Sequence, residues 1–328
     1  METTIAFLRR LTIANRMNAT WDGDAMSSIQ VHIQNPNYNV QATAPARKAD
    51  WGDPNEPSAE RITLNMDQRG RVENTLYVED EVENAVRDYR ARLQTASMNA
   101  LAAQYENNLV AYALALTSAA NPNYSGNANG GAGQIRVIPF DASGDEVTGF
   151  SISTGKPTGS AAQVTTAREW VQEFFTDARV AFEREEIHLD GGNITIGGMM
   201  GQPWVAMPIE LYVYGLVPVL ENKGISLAFT QQLLQNLGVF GPALAGNYRG
   251  FDIFVTNALA RPTAANQVWN VIAASDQAIA APRRMVRNYV RDPANAEAER
   301  YEFRHAHTYG RALANSRLII KGTFDATA

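Results

Sequence analysis

The sequence predicts an α+β fold, and three observations carry that reading. Between Gly70 and Pro122 the chain runs fifty-one residues without glycine or proline, and its second part, 79–119, has helical periodicity. Ahead of it lies a stretch of period-two alternation, and behind it the chain returns through several strand-like pieces. A helix over 79–119 would be roughly 60 Å long. A compact globule of 328 residues is only about 50 Å across. Such a helix suits a flat subunit or a strut flanked by other copies better than a pocket enzyme.

The elements follow in order. Residues 3–18 form an amphipathic helix, with Ile5, Leu8, Leu11 and Met17 on one side, and read as an arm that docks on something larger. Ile29, Val31 and Ile33 alternate with polar residues as a strand. Residues 35–59 carry Pro36, Pro45, Pro54 and Pro57 and make an irregular excursion. A hairpin is expected next: Ile62, Leu64 and Met66 alternate, Asp67 to Gly70 turn, and Val72, Leu76 and Val78 return. Residues 29–78 thus read as one extended β-loop.

The long helix has apolar residues stepping through Val82, Val86, Tyr89, Leu93, Ala96, Ala100, Tyr105, Leu109, Tyr112 and Leu116. Glu79, Asp80, Glu81 and Glu83 crowd its first turns, where the helix dipole favours negative charge, and Asn121-Pro122 stops it. Residues 121–161 are dense in Gly, Asn and Ser, with short strands at 134–139 and 146–153, and read as a surface insertion. A second helix is expected over 164–186, with Thr166 and Glu169 as its capping box. A short strand lies between Gly191-Gly192 and Gly197-Gly198. Trp204 to Pro208 reads as a buried strand entering a helix at 209–221, and Gly250 to Asn257 as a further strand. The tail gives strands at 268–274, 284–291, 298–307 and 316–324, with an alanine-rich helix at 275–281.

Composition narrows the function classes. The chain is 45% hydrophobic, so it can bury a core. A net charge of −6 argues against tight sequence-specific nucleic-acid binding by the chain as a whole. With no cysteine, disulfides and thiol chemistry are excluded together. No apolar run approaches the length of a membrane span, and Arg9-Arg10 follow rather than precede the short apolar piece 5–8, unlike a signal peptide. Only four of the twenty-eight basic residues are lysine.

No reactive centre emerges. Gly155-Lys156-Pro157-Thr158 lacks the glycine spacing of a phosphate loop, and Gly130 to Gly133 lies outside any strand–turn–helix context. His305 and His307 would share one face of a strand, but no acid stands at a matching short spacing, so a polar strand face is the preferred reading over a metal pair. Glu183, Glu185 and Glu186 read as a solvated charge run. Arg283, Arg284, Arg287 and Arg291 form a basic stripe suited either to nucleic acid or to acids on a neighbouring subunit, and we favour the neighbour. No catalytic, cofactor-binding or metal residue is assigned. The contact candidates between subunits are Ile62, Leu64, Met66, Arg69, Arg71, Leu76, Arg283, Arg284 and Arg287.

This order of pieces resembles the major capsid proteins of tailed bacteriophages, the HK97-like fold, in its P22-coat-like branch. Ile62 to Asp67 followed by Leu76 to Asp80 resembles the segment before the spine helix; Pro203 to Pro208, Arg249 to Asn257 and Tyr309-Gly310-Arg311 resemble further family motifs. The resemblance implies an N-terminal arm at 1–28, an extended β-loop (E-loop) at 29–78, a spine helix and peripheral domain at 79–187 carrying the 121–161 insertion, an axial domain at 188–267, and a return to the peripheral domain at 268–328. It implies a non-enzymatic subunit that builds hexamers and pentamers of an icosahedral shell around double-stranded DNA, made in the host bacterial cytoplasm and found in the virion capsid. It further implies a portal, a separate scaffolding protein and room for a decoration protein, with no cofactor and no membrane. Lys48 is the only lysine of the loop for a covalent cross-link to a neighbour, and its polar setting beside Arg47 and Asp50 speaks against one. An encapsulin-type compartment and an α/β enzyme with an unrecognised site are the alternatives.

Overall fold

The computed structural model describes residues 13–17, 28–35, 58–77, 89–116, 134–137, 151–152, 161–184, 194–196, 199–201, 203–217, 244–291 and 300–326. Strand β1 (Ser28–Asn35) pairs antiparallel with β2 (Ser58–Asn65), Ile29 opposite Leu64 and Asn35 opposite Ser58. This two-stranded ladder joins no other sheet among the described residues. The expected 62–78 hairpin does not form. Only Met66 and Asp67 separate β2 from β3 (Gln68–Tyr77), yet β3 pairs with β13 (Arg300–Tyr309), which pairs in turn with β12 (Arg283–Arg291). Gly70, read as a turn residue, lies within β3 opposite His307. A Cβ there would come within 2.4 Å of the His307 ring, so the glycine provides close approach instead of a turn.

Helix α1 (Tyr89–Ala115) lies against this three-stranded sheet. Its 27 residues span about 40 Å; residues 79–88 and 117–119 of the expected helix fall outside the described set, as do 3–12 of the arm. The buried stripe runs through Ser97, Met98, Leu101, Ala102, Tyr105, Glu106, Leu109, Val110 and Ala113. Ala96 and Ala100, expected inside, are exposed. The apolar pattern misleads there because two polar residues occupy inward positions, each satisfied by a hydrogen bond. Asn74 Nδ2 donates to Ser97 Oγ, and Glu106 accepts from the backbone N–H groups of Ile13 at 2.6 Å and Ala14 at 3.1 Å. The N-terminal arm, seen as the turn Ala14–Arg16, is thereby fixed to the helix with Ile13 and Met17 in the core.

The second sheet has six strands in the order β4-β15-β10-β7-β9-β8: β4 (Gln134–Val137), β15 (Ile319–Asp325), β10 (Val268–Ser275), β7 (Pro203–Met207), β9 (Phe251–Val255) and β8 (Leu244–Tyr248). All five residues of β7 are buried, as the sequence predicts. The β8–β9 connection needs positive φ at both central residues, and Arg249 (51°) and Gly250 (85°) supply it. Helix α2 (Ala161–Arg184) covers this sheet with Phe174, Phe175 and Phe182, which meet Phe324, Tyr248 and Phe251 edge-on or tilted. At Gly322 a Cβ would stand 2.3 Å from Phe174, so the strand must be bare there. Since α2 starts at Ala161, Thr166 lies inside it and is not its cap.

Two further expectations change. The 121–161 segment is not wholly a surface insertion: β4 pairs parallel with β15, and both Ile135 and Ile152 are fully buried. The Ser151 hydroxyl and the Ile152 N–H both donate to Gln267 Oε1, which ties that end down. The 275–281 segment is not a helix. The Ala278 carbonyl accepts from Ala314 and Asn315, Ala281 from the Tyr105 hydroxyl, and Pro282 from Gly310. These distant donors take the carbonyls that a helix would use, and only the short strand β11 (Ile279–Ala280) forms, paired with β14 (Ala312–Leu313). After β7 the short helix α3 (Ile209–Leu211) widens into a π-turn, Tyr212–Leu216, with Val217 N–H donating to the Tyr212 carbonyl. The β5–β6 pair (Ile194–Ile196 with Met199–Gly201) occupies the glycine-punctuated stretch.

Candidate assembly surface

Alternation along β3 and β13 gives their sheet one face against α1 and one facing away. The inner face is aromatic and tightly packed. Phe303, His305, His307 and Tyr309 are buried on it. His307 stacks on Tyr309 at 5.2 Å, and both rings meet the edge of Tyr105. Asn108 Nδ2 donates to the Tyr309 hydroxyl at 2.8 Å. Burial holds the His305 imidazole below its ordinary pKa, and burial with the nearby Arg283 charge pushes His307 down to about 4. Both rings are therefore neutral core groups at pH 7. No group of three or more metal-ligating side chains occurs among the described residues.

The outer face is cationic. Cross-strand register places Arg69 opposite Thr308, Arg71 opposite Ala306 and Glu73 opposite Arg304, while Thr308 also pairs with Arg284 of β12. Four arginines, Arg69, Arg71, Arg284 and Arg304, thus share the face with one carboxylate, Glu73, among the described side chains. Glu73 pairs with Arg71 along the strand and with Arg304 across it at 3.2 Å. Ala306 and Thr308, being short, leave a depression of about 400 Å³ between the arginines. Screening at such exposed positions makes these pairs worth little to the fold.

The predicted contact residues divide. Arg69, Arg71 and Arg284 are exposed on the outer face, and Met66 is half-buried at its corner. Arg283 lies off the outer face and is half-buried. A bulge between Met285 and Arg287 breaks the expected stripe, and Arg283 pairs with Tyr309 on the other face. There its guanidinium lies 5.9 Å from the centre of the Tyr105 ring and 3.4 Å from Asn15 Oδ1. Leu64 is likewise internal: it is fully buried, and a Cβ on Gly310 would meet it at 2.2 Å. The side chains of Ile62, Leu76 and Arg287 lie outside the described set; their backbones pair with Val31, Tyr301 and Ala306. Glu73 and Arg304 escaped the sequence reading. The alternation Arg69, Arg71, Glu73 was a visible signal of one charged strand face, but Arg304 joins it only through a pairing of high sequence separation.

No family model matches the sequence, and no curated protein matches it. Solved structures do match. The capsid structure of the cyanophage P-SCSP1u aligns with a TM-score of 0.58 at 15% identity, covering 97% of this chain and 90% of that one. A structure of Mycobacterium phage Che8 aligns at 0.53 and 15% identity, covering 96% and 91%. A virus-like particle from Pyrococcus furiosus aligns at 0.51 and 11% identity, covering 98% and 96%. At such identities the likeness shows the fold: the chain has the HK97-like α+β fold of phage capsid structures.

Proposed function

We propose that this chain is a major capsid protein, a non-enzymatic subunit whose hexamers and pentamers close an icosahedral shell around double-stranded DNA, as a virion component made in the host bacterial cytoplasm. The observation that carries the reading is the β1–β2 ladder, a two-stranded sheet that joins no other among the described residues of a chain with a capsid fold. A lone two-stranded ladder is marginal in water. Leu64 anchors one end of it on the chain's own body at Gly310, and a neighbouring subunit supplies a surface for the remainder in a shell. Residues 36–57, which separate the paired ends, belong to the same extended loop on this reading. The loop and the outer-face residues Met66, Arg69, Arg71 and Arg284 form the contacts between subunits.

A portal and a separate scaffolding protein complete the proposed partners, and a decoration protein is compatible with the exposed face. The DNA contact is non-specific, in keeping with a chain of net charge −6. The test is sedimentation velocity of the chain alone and co-expressed with its scaffold. Megadalton species that shield DNA from nuclease support the proposal; a stable 35.9 kDa monomer under both conditions refutes it. A second reading, a shell that encloses protein cargo, draws on the likeness to the Pyrococcus furiosus particle. Particles that carry protein cargo and no genome-length DNA would select it.

A further inference from the structure

The cationic depression on β3 and β13 has a counterpart elsewhere on the same chain. The outward face of α2 carries Glu173, Asp177 and Val180, at steps of four and three residues, opposite the face that holds Phe174, Ala178 and Phe182 in the core. Two carboxylates one turn apart repel each other and weaken a helix. Among the described residues no ion pair relieves them. The neighbouring arginines are engaged elsewhere: Arg179 pairs with Glu183, and Arg249 donates to the Gln172 carbonyl and to Thr176. Neither Glu173 nor Asp177 has a salt bridge among the described residues. Val180, 41% exposed, continues this face as one of the few large apolar side chains left in solvent among the described residues.

We propose that the Glu173–Asp177 face of one copy docks into the Arg69–Arg71 depression of a second copy, a head-to-tail contact that repeats around a ring of subunits. Spacing and charge sign both fit. Carboxylates at i and i+4 on a helix stand about 6 Å apart at Cβ, and arginines at i and i+2 on a strand about 6.8 Å apart. The guanidinium is the group suited to paired, planar carboxylate contacts. Glu73 already takes Arg71 and Arg304 within the depression, so the arginines there are placed to bind carboxylates. Burial and the charge of Asp177 hold the Glu173 carboxyl above its ordinary pKa, and burial does the same for Asp177, a cost that a cationic partner removes. The two surfaces are different patches of one chain, so the contact is heterologous and builds a closed ring when the rotation closes.

This inference rests on the shell reading, and charge exchange separates the two. The variant Glu173→Lys/Asp177→Lys and the variant Arg69→Glu/Arg71→Glu are each expected to raise the concentration for half-assembly at least about tenfold. All four positions lie on the surface or are half-buried, so folding is checked by melting each variant as a subunit. Combining all four substitutions in one chain restores attraction at every contact and returns assembly to within a few-fold of the unaltered protein, and mixing the two variants restores it wherever they alternate, as a six-membered ring allows and a five-membered ring does not. If the unaltered chain assembles and the variants assemble equally well, the docking is wrong while the shell reading stands. If the variants fail and neither mixing nor combination rescues them, the pairing is wrong. If Arg69→Glu/Arg71→Glu instead abolishes salt-sensitive DNA binding and leaves assembly intact, the depression holds nucleic acid and the proposal is overturned. If the unaltered chain never assembles, both readings fall.

Discussion

Replacing Glu106 by alanine should release the N-terminal turn while leaving the rest of the subunit folded. The carboxylate is buried and accepts two backbone N–H groups, from Ile13 at 2.6 Å and Ala14 at 3.1 Å. A hydrogen bond to a charged group contributes about 1.5–3 kcal/mol, and a buried donor left unpaired costs about 1–3 kcal/mol. Loss of both bonds therefore removes about 3–6 kcal/mol from docking of the turn. The same turn buries Ile13 and Met17, each worth about 1.5–3 kcal/mol, and Arg16 pairs with Asp252 at 3.2 Å and Asp276 at 3.0 Å. The turn thus keeps some affinity for its seat, but its open population rises by a factor of at least about 100. Trypsin reads this directly, because Arg16 must leave its two carboxylates to enter a protease. Cleavage after Arg16 should accelerate at least about 100-fold in Glu106→Ala and by less in Glu106→Gln, which keeps one acceptor oxygen. Hydrogen exchange at Ile13 and Ala14 should rise in parallel. A rate within three-fold of the unaltered protein would show that apolar burial, and not the carboxylate, holds the arm.

The buried imidazole of His307 gives a pH dependence of known sign. Its folded pKa of about 4 lies below the ordinary 6.5, so the unfolded chain binds the extra proton between those values. Its share of stability is complete above pH 6.5 and fades as pH falls towards 4, by about 3 kcal/mol in all; urea titrations at several pH values should lose this slope in His307→Asn, and an unchanged slope would place the titration elsewhere. Leu64→Asp buries a charge beside Gly310, so it should lower the melting temperature of the isolated subunit sharply, whereas Met66→Asp at the half-buried corner should not; equal melting temperatures would return Leu64 to the surface. Gly322→Val should cost about 1–3 kcal/mol or more in chemical denaturation, because the new side chain meets Phe174; a neutral result would mean that α2 can shift freely off the sheet. Particles boiled in detergent should run as a single band at the 35.9 kDa of the chain, and a ladder abolished by Lys48→Ala would reveal a covalent cross-link.

Much of the fold is legible in the sequence where local pattern and burial coincide. The unbroken apolar run Trp204 to Met207 and the phenylalanines of α2 each carry their own signal. Pairing partners are less accessible. The alternation in 62–78 correctly marks two strands, but whether they pair with each other depends on β1 and β13, more than twenty and two hundred residues away in the chain. Gly70 reads as a turn residue in the sequence, and only the structure shows that Gly70 and Gly310 each make room for a side chain from elsewhere, His307 and Leu64. The candidate surface was half visible for the same reason. Arg69, Arg71 and Arg284 were named from sequence, whereas the pairing that sets Arg283 opposite Tyr309 on the inner face and the register that brings Arg304 to Glu73 are long-range properties.

Electron microscopy in negative stain of the purified chain, expressed with the scaffolding protein proposed for it, is the most direct test. Closed, uniform shells whose averaged faces show six-fold and five-fold capsomers are expected. A field of dispersed particles no larger than the 35.9 kDa subunit, in protein that melts cooperatively, would contradict the shell reading.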